Sequence, residues 1–254
     1  MKYHHLRNAT AVLEIDSQYI LIDPMLGKPG NIEAFTKDRF PAVRNPLVEL
    51  PEKTEGLLKK ITHVLITHQH ADHLDAAGIN FLKENQFPVT CSQLDAKDLR
   101  TKGLNVVQEL EYNSPQDFLG GSIQGIPAQH GYGEVAKFMG NVMGFLIKLP
   151  NEPSVYLASD TILTDEVAEI LVNYEPAISV IPCGSAQLDS YDPILMTVED
   201  IMRFTNLNFG VTICNHLEAL NHCPTRRKDL REKFIEQKLT SKVWIPNDGE
   251  SKHF

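Results

Sequence analysis

The chain has 254 residues, 42% hydrophobic and 22% charged, the balance of an ordinary globular protein. Its formal charge of −9, from 24 Lys and Arg against 33 Asp and Glu, disfavours nucleic acid as the main partner, because that binding runs on clustered positive charge. No apolar run approaches the ~20 residues that span a bilayer, and the dispersed Cys91, Cys183, Cys214 and Cys223 form no CxxC pair, which reads as reduced thiols and not a disulfide framework.

The opening segment MKYHHLRNATAVLEI has no charged stretch followed by an apolar one, so no secretion signal is read there and a cytoplasmic location is expected. Two short apolar runs, TAVLEI (10–15) and QYILID (18–23), read as strands. Residues 27–56, punctuated by Pro29, Pro41, Pro46 and Pro51, read as a long irregular loop of the kind that overhangs a site. Strands are then expected at HVLIT (63–67) and FPVTCS (87–92), with helices over DAAGINFLKENQ (75–86) and SQLDAKDLRTKG (92–103). NVVQEL (105–110), SIQGIPA (122–128), VMGFLIKL (142–149) and SVYLAS (154–159) continue the strands. The glycine-rich HGYGEVAKFMGN (130–141) reads either as a mobile pocket wall or as a plain connecting hairpin.

Beyond residue 160 strands and helices alternate. Helices are expected at TDEVAEILVNY (164–174), at TVEDIMRFTNL (197–207), with the capping-box spacing Thr197-x-x-Asp200, and at TRRKDLREKFIEQK (225–238). AISVIPC (177–183), VTICN (211–215) and KVWIP (242–246) read as strands. Paired strands first and alternating elements later suggest two packed sheets with helices outside. With no internal repeat or linker, one domain over 1–254 is expected.

The chemistry concentrates in HVLITHQHADHLDAAG, residues 63–78. His68 and His70 stand two apart at a strand end and point the same way in an extended backbone. Asp72 and His73 follow where the chain turns into a helix. Imidazole and carboxylate suit zinc, and less selectively manganese or iron. One turn cannot complete two coordination spheres, so further ligands are sought at other strand ends, where His130, Asp160 and His216 stand. His222, six residues past His216, reads either as a group that hydrogen-bonds substrate or as a structural histidine. Arg226 and Arg227 read first as a solvated helix start and second as groups that meet an anionic substrate, His4, His5 and His63 read as structural, and Asp23 before Pro24 as a turn or outer-shell carboxylate.

THQHADHLD resembles the HxHxDH signature of the metallo-β-lactamase superfamily. The other motifs follow in family order, in LIDPML, AQHG, SDT and CNHLEA, and the resemblance spans roughly residues 10–220. The short opening ATAVLEIDSQYILIDPML is most similar to the branch that contains L-ascorbate-6-phosphate lactonase. The resemblance implies an α/β (α+β) fold, the αββα sandwich of two mixed sheets flanked by helices. It assigns His68, His70 and His130 to a first metal, Asp72, His73 and His216 to a second, and Asp160 to both.

The function this implies is a binuclear hydrolase with two divalent ions, zinc first and manganese or iron after it. A metal-bridging hydroxide would attack a small-molecule lactone, ester or amide, with Asp72, Asp160 and His222 as catalytic candidates. No GxSxG nucleophile elbow competes with that reading. The alternatives are a phosphodiesterase or nuclease of the same fold, a di-iron redox enzyme, and a metal-binding module without turnover. Small-molecule substrates, no membrane partner and a homo-oligomeric assembly complete the expectation.

Overall fold

Aliphatic side chains that alternate along a strand face opposite sides of a sheet, and that alternation sets the layers here. In the computed structural model, which describes residues 1–254, the first sheet has the order β14 (Ser251–His253), β1 (Lys2–Arg7), β2 (Thr10–Ile15), β3 (Gln18–Ile22), β4 (His63–Ile66), β5 (Val89–Ser92) and β6 (Val106–Leu110). The second has the order β13 (Val243–Trp244), β12 (Val211–Asn215), β11 (Ile178–Pro182), β10 (Val155–Leu157), β9 (Met143–Lys148), β8 (Gly121–Pro127) and β7 (Pro115–Phe118). Both sheets mix parallel and antiparallel pairs.

Ile20, Ile22 and Leu65 of the first sheet pack against Phe145, Leu157, Val180 and Ile213 of the second. Leu21, Val64 and Ile66 face the other way, onto α1 (Thr54–Leu58), α2 (Ala76–Asn85) and α3 (Gln93–Thr101). Tyr156, Ile181 and Cys214 face out from the second sheet onto α4 (Asp165–Tyr174), α5 (Val198–Leu207) and α6 (Arg227–Glu236). Each fully buried aliphatic or aromatic side chain contributes about 1.5–3 kcal/mol. Three such layers of contact make the expected αββα sandwich. No helix is long and apolar enough to cross a membrane.

Three short strands were not legible as strands. β1 reads KYHHLR, yet all but its first residue are buried, because His4 bonds Glu14 and Ser251 and Arg7 bonds backbone carbonyls. β7 and β14 carry proline and charge, the usual protection of sheet edges. Residues 130–141 form neither hairpin strand. They hold a 3-10 helix, Gly133–Phe138, tied down by the Tyr132 hydroxyl donating to Asp200 of α5.

Strand direction places the site. β8 and β10 are both antiparallel to β9 and so run the same way, and β10, β11 and β12 are parallel. The C-terminal ends of β8, β10 and β12 therefore open at one edge. Thr67 O, just past β4, accepts from Met143 N at 3.1 Å and joins the first sheet to that edge. His216 N donates to Asn8 O at 3.0 Å, which anchors the end of β12 to the β1–β2 turn.

Candidate metal centre

Each ligand candidate follows a strand that ends at this edge. His68 and His70 leave β4, His130 leaves β8, Asp160 leaves β10 and His216 leaves β12. Asp72 and His73 lie in the turn before α2, whose N-cap is Asp75. The structure brings His68, His70 and His130 into one group and Asp72, His73, Asp160 and His216 into another, with ligand atoms in each within 4.8 Å of one another. Asp160 faces both groups: its Oδ1 lies 3.2 Å from His73 Nε2, and its Oδ2 lies 3.4 Å from both His130 Nε2 and His216 Nε2. Asp72 Oδ2 lies 3.2 Å from His216 Nε2.

The outer nitrogens explain why the inner ones converge. His73 Nδ1 donates to Asp23 Oδ2 at 2.8 Å, His130 Nδ1 donates to Ile194 O at 2.8 Å, and His68 Nδ1 meets Thr67 Oγ1 at 3.0 Å. The Thr67 hydroxyl is itself committed to Asp23 Oδ2 at 2.7 Å, so the His68 ring is the donor of its pair. His216 Nδ1 faces Cys223 Sγ at 3.5 Å. With Nδ1 occupied, Nε2 of each ring is left to face the cluster, the arrangement that fixes metal-ligating imidazoles. Close packing makes this possible at Gly184, where a Cβ would lie 2.3 Å from His216 O and 2.8 Å from Cys223 Sγ.

Charge follows from this packing. Burial opposes a proton on His73, but Asp160 and Asp23 outweigh it and hold its pKa up at about 10. His216 is also raised, against burial, by Asp160 and by its other acidic neighbours. Burial pushes His130 down to about 4 and lowers His68, leaving both imidazoles neutral. Asp72 and Asp160 stay ionised despite burial because His216 and His73 face them. The site thus pairs buried carboxylates with imidazoles that bear protons where a cation would otherwise balance them. His68 Nε2 is buried without a hydrogen-bond partner, and His73 Nε2 faces the Asp160 carboxylate at 3.2 Å. An orphaned ring nitrogen beside ionised carboxylates fits one or two divalent cations.

The turn residues are held in uncommon backbone. Asn8, Asp23, Ser159 and His216 have φ of 55°, 43°, 61° and 56°, the left-handed region, which costs a non-glycine residue on the order of 1 kcal/mol or more. Asp23 is worth that cost, since one carboxylate receives Thr67 N, Thr67 Oγ1 and His73 Nδ1. Asp23→Ala is expected to weaken metal affinity by about 10–100-fold while leaving the secondary structure intact. Competition with a chromophoric chelator measures it, and an unchanged affinity would remove Asp23 from the site.

A cavity of about 190 Å³ opens on the two groups. Its polar side is His70, Asp72, His130, Asp160 and His222, and Phe35, Met139, Leu188 and Ile194 face them. His222 is buried with Nδ1 unpartnered, 6.4 Å between ring centroids from His216, and burial pushes its pKa down to about 4. Arg226 is exposed, as a helix start would be. Arg227, read from sequence as solvated, is instead buried between Glu218 and Asp248, and neither arginine lines the cavity. His4 and His5 serve as structural partners of Glu14 and Asp248. Reading the sequence missed Thr67, Cys223 and Phe35, whose roles depend on partners brought in by the fold.

The Beta-lactamase superfamily domain matches residues 18–210. The UPF0173 protein YddR of Bacillus subtilis (strain 168) is 31% identical over 256 residues, covering 100% of both chains. Among solved structures, a possible metal-dependent hydrolase from Veillonella parvula DSM 2008 superposes with a TM-score of 0.92 at 30% identity, covering 100% of this chain and 99% of that one. An isothiocyanate hydrolase from Delia radicum gut bacteria superposes with a TM-score of 0.91 at 31% identity, with the same coverage.

Proposed function

The chain belongs to the metallo-β-lactamase superfamily, and from that premise we propose that it is a binuclear metal-dependent hydrolase of a small, uncharged electrophile. The observation that carries this reading is the placement of Asp160 between the two histidine groups. His68, His70 and His130 would hold one divalent ion, Asp72, His73 and His216 the other, and Asp160 both. Divalent ions in such a site, zinc first and manganese or iron after it, supply Lewis acidity and make water acidic enough to attack near neutral pH.

The chain's own groups then do the rest. Asp72 lines the cavity, where its carboxylate orients the attacking water and takes up its proton. His222, neutral because it is buried, offers an uncharged hydrogen bond to a substrate heteroatom. The apolar side chains opposite exclude bulk water, which strengthens each polar contact.

Lactones, esters, amides and isothiocyanates all present an electrophilic carbon bound to heteroatoms. The similarity to an isothiocyanate hydrolase favours the last of these, R–N=C=S + H2O giving R–NH2 and O=C=S. A phosphodiester or a phosphorylated lactone is the second reading. It is disfavoured because no lysine or arginine lines the cavity to receive a phosphate. The same proposal takes residues 1–254 as one catalytic domain working in the cytoplasm, with its four cysteines reduced.

The test compares metal-loaded protein on methyl isothiocyanate, a phosphorylated sugar lactone and bis(p-nitrophenyl) phosphate. Isothiocyanate turnover that chelation abolishes and zinc restores is the expected result. Turnover of the phosphodiester alone would overturn the reading.

A further inference from the structure

Residues 31–45 have no regular secondary structure beyond one isolated bridge, Ile32 to Asn45, and bring Phe35 into the lining of the cavity. A segment of this kind is ordinarily mobile. Here its backbone is tied at several points to two side chains from the far half of the sequence. Asn221 accepts from Phe35 N and Asn45 Nδ2 through Oδ1, both at 3.0 Å. Its Nδ2 donates to Thr36 O at 2.9 Å and Pro41 O at 3.0 Å, and its own N donates to Asn45 Oδ1 at 2.7 Å. Asp189 receives Thr36 Oγ1 and the backbone N–H groups of Lys37, Asp38 and Arg39. Those donors hold its carboxyl below the usual carboxylate range.

The tie has one consequence inside the cavity. Phe35 is fixed with its ring 4.7 Å, centroid to centroid, from that of His222, the neighbour of Asn221. The ring closes the apolar side together with Met139, Leu188 and Ile194, and faces Asp72, His130 and Asp160 across about 190 Å³. A compact substrate fills that space, with its reactive carbon toward the carboxylates and its substituent against Phe35.

We infer that Phe35 is the specificity-determining wall of this site, selecting substrates whose substituent is apolar and uncharged, and that Asn221 is the positioning residue that keeps it there. This rests on the reading of the site as a metal-dependent hydrolase. An anionic substituent would lose its water against Phe35 and find no lysine or arginine in the lining to pair with. A flat apolar substituent loses nothing and gains the contact of an aromatic face.

Calorimetric titration of zinc-loaded protein with acetohydroxamic acid and benzohydroxamic acid tests the wall without turnover, since both acids chelate zinc alike and differ only in substituent. The wild-type protein is expected to prefer the benzo acid by about 10-fold or more, and Phe35→Ala to lose most of that preference, the scale of a large apolar contact in a pocket. Asn221→Ala is expected to lose the same preference with Phe35 still present, and to show faster hydrogen exchange over residues 31–45. Asn221→Asp, which keeps the acceptors for Phe35 N and Asn45 Nδ2, is expected to restore part of it. An equal preference in wild type and Phe35→Ala would overturn the inference. Neither acid binding to fully metallated wild type would mean that the cavity does not open on the metal, and would overturn the wall. Tight binding with no isothiocyanate turnover would keep the wall and overturn only the substrate reading.

Discussion

Asp160→Ala is expected to lower turnover on the order of 10³-fold and to leave the protein unable to hold its full complement of metal. The argument is geometric. Asp160 is the one carboxylate within 3.4 Å of a histidine from each group, so its removal severs the acidic link between the two halves of the site. Stabilisation of developing charge by a divalent ion is worth several kcal/mol, and about 1.4 kcal/mol is a factor of ten in rate. Asp160→Asn separates charge from shape. It keeps the side-chain volume in the buried site but removes the charge that faces His73 and His216, and a loss intermediate between wild type and alanine is expected. Metal content by elemental analysis, read beside kcat, checks both variants. Full metal content with full turnover in Asp160→Ala would refute the shared role.

The layers and the reactive turn were legible because both are local. The short continuous apolar runs in QYILI and HVLI read as buried strands whatever they pack against. His68, His70, Asp72 and His73 lie within six residues, and one turn must bring them close. The remaining ligand candidates were legible only as polar residues at the ends of apolar runs. What holds all of them was not legible, because it is long-range. Asp23 reaches Thr67 and His73 across 44 and 50 positions, and Asn221 reaches Phe35 across 186. Cys223 reads as a stray thiol until the fold sets it against His216. Gly78 reads as a weak point early in a helix. In the fold, a Cβ there would lie 1.9 Å from Pro24 O, so only glycine lets the loop that starts at Pro24 pass. Arg227 was misread for the same reason, since its partners Glu218 and Asp248 are distant in sequence and charge alone suggests solvent.

Arg7 is the extreme case, and its replacement is expected to cost more stability than any surface change. The side chain is 0% exposed in a strand that reads as polar. Its guanidinium donates to Val48 O at 2.9 Å through Nη1, and through Nη2 to Met25 O at 2.7 Å and Gly27 O at 3.0 Å. Both ends of the loop that carries Phe35 therefore hang on one cation. Burial lowers its pKa, and the nearby charges of Asp75, Asp248 and Glu49 oppose that. Arg7→Ala would strand those carbonyls and leave a cavity beneath the loop. A buried charged group removed from its partners costs about 3–5 kcal/mol. At 2–4 °C per kcal/mol for a chain of this size, Tm should fall by roughly 6–20 °C. Arg7→Lys is expected to recover only part, because one ammonium on a flexible stem cannot span the fork between Val48 O and Met25 O. Scanning calorimetry reads the loss, and limited proteolysis should place the first cuts of Arg7→Ala between residues 27 and 48. An unchanged Tm in that variant would mean that the loop holds itself, and that its ties to Asn221 and Asp189 alone keep Phe35 over the site.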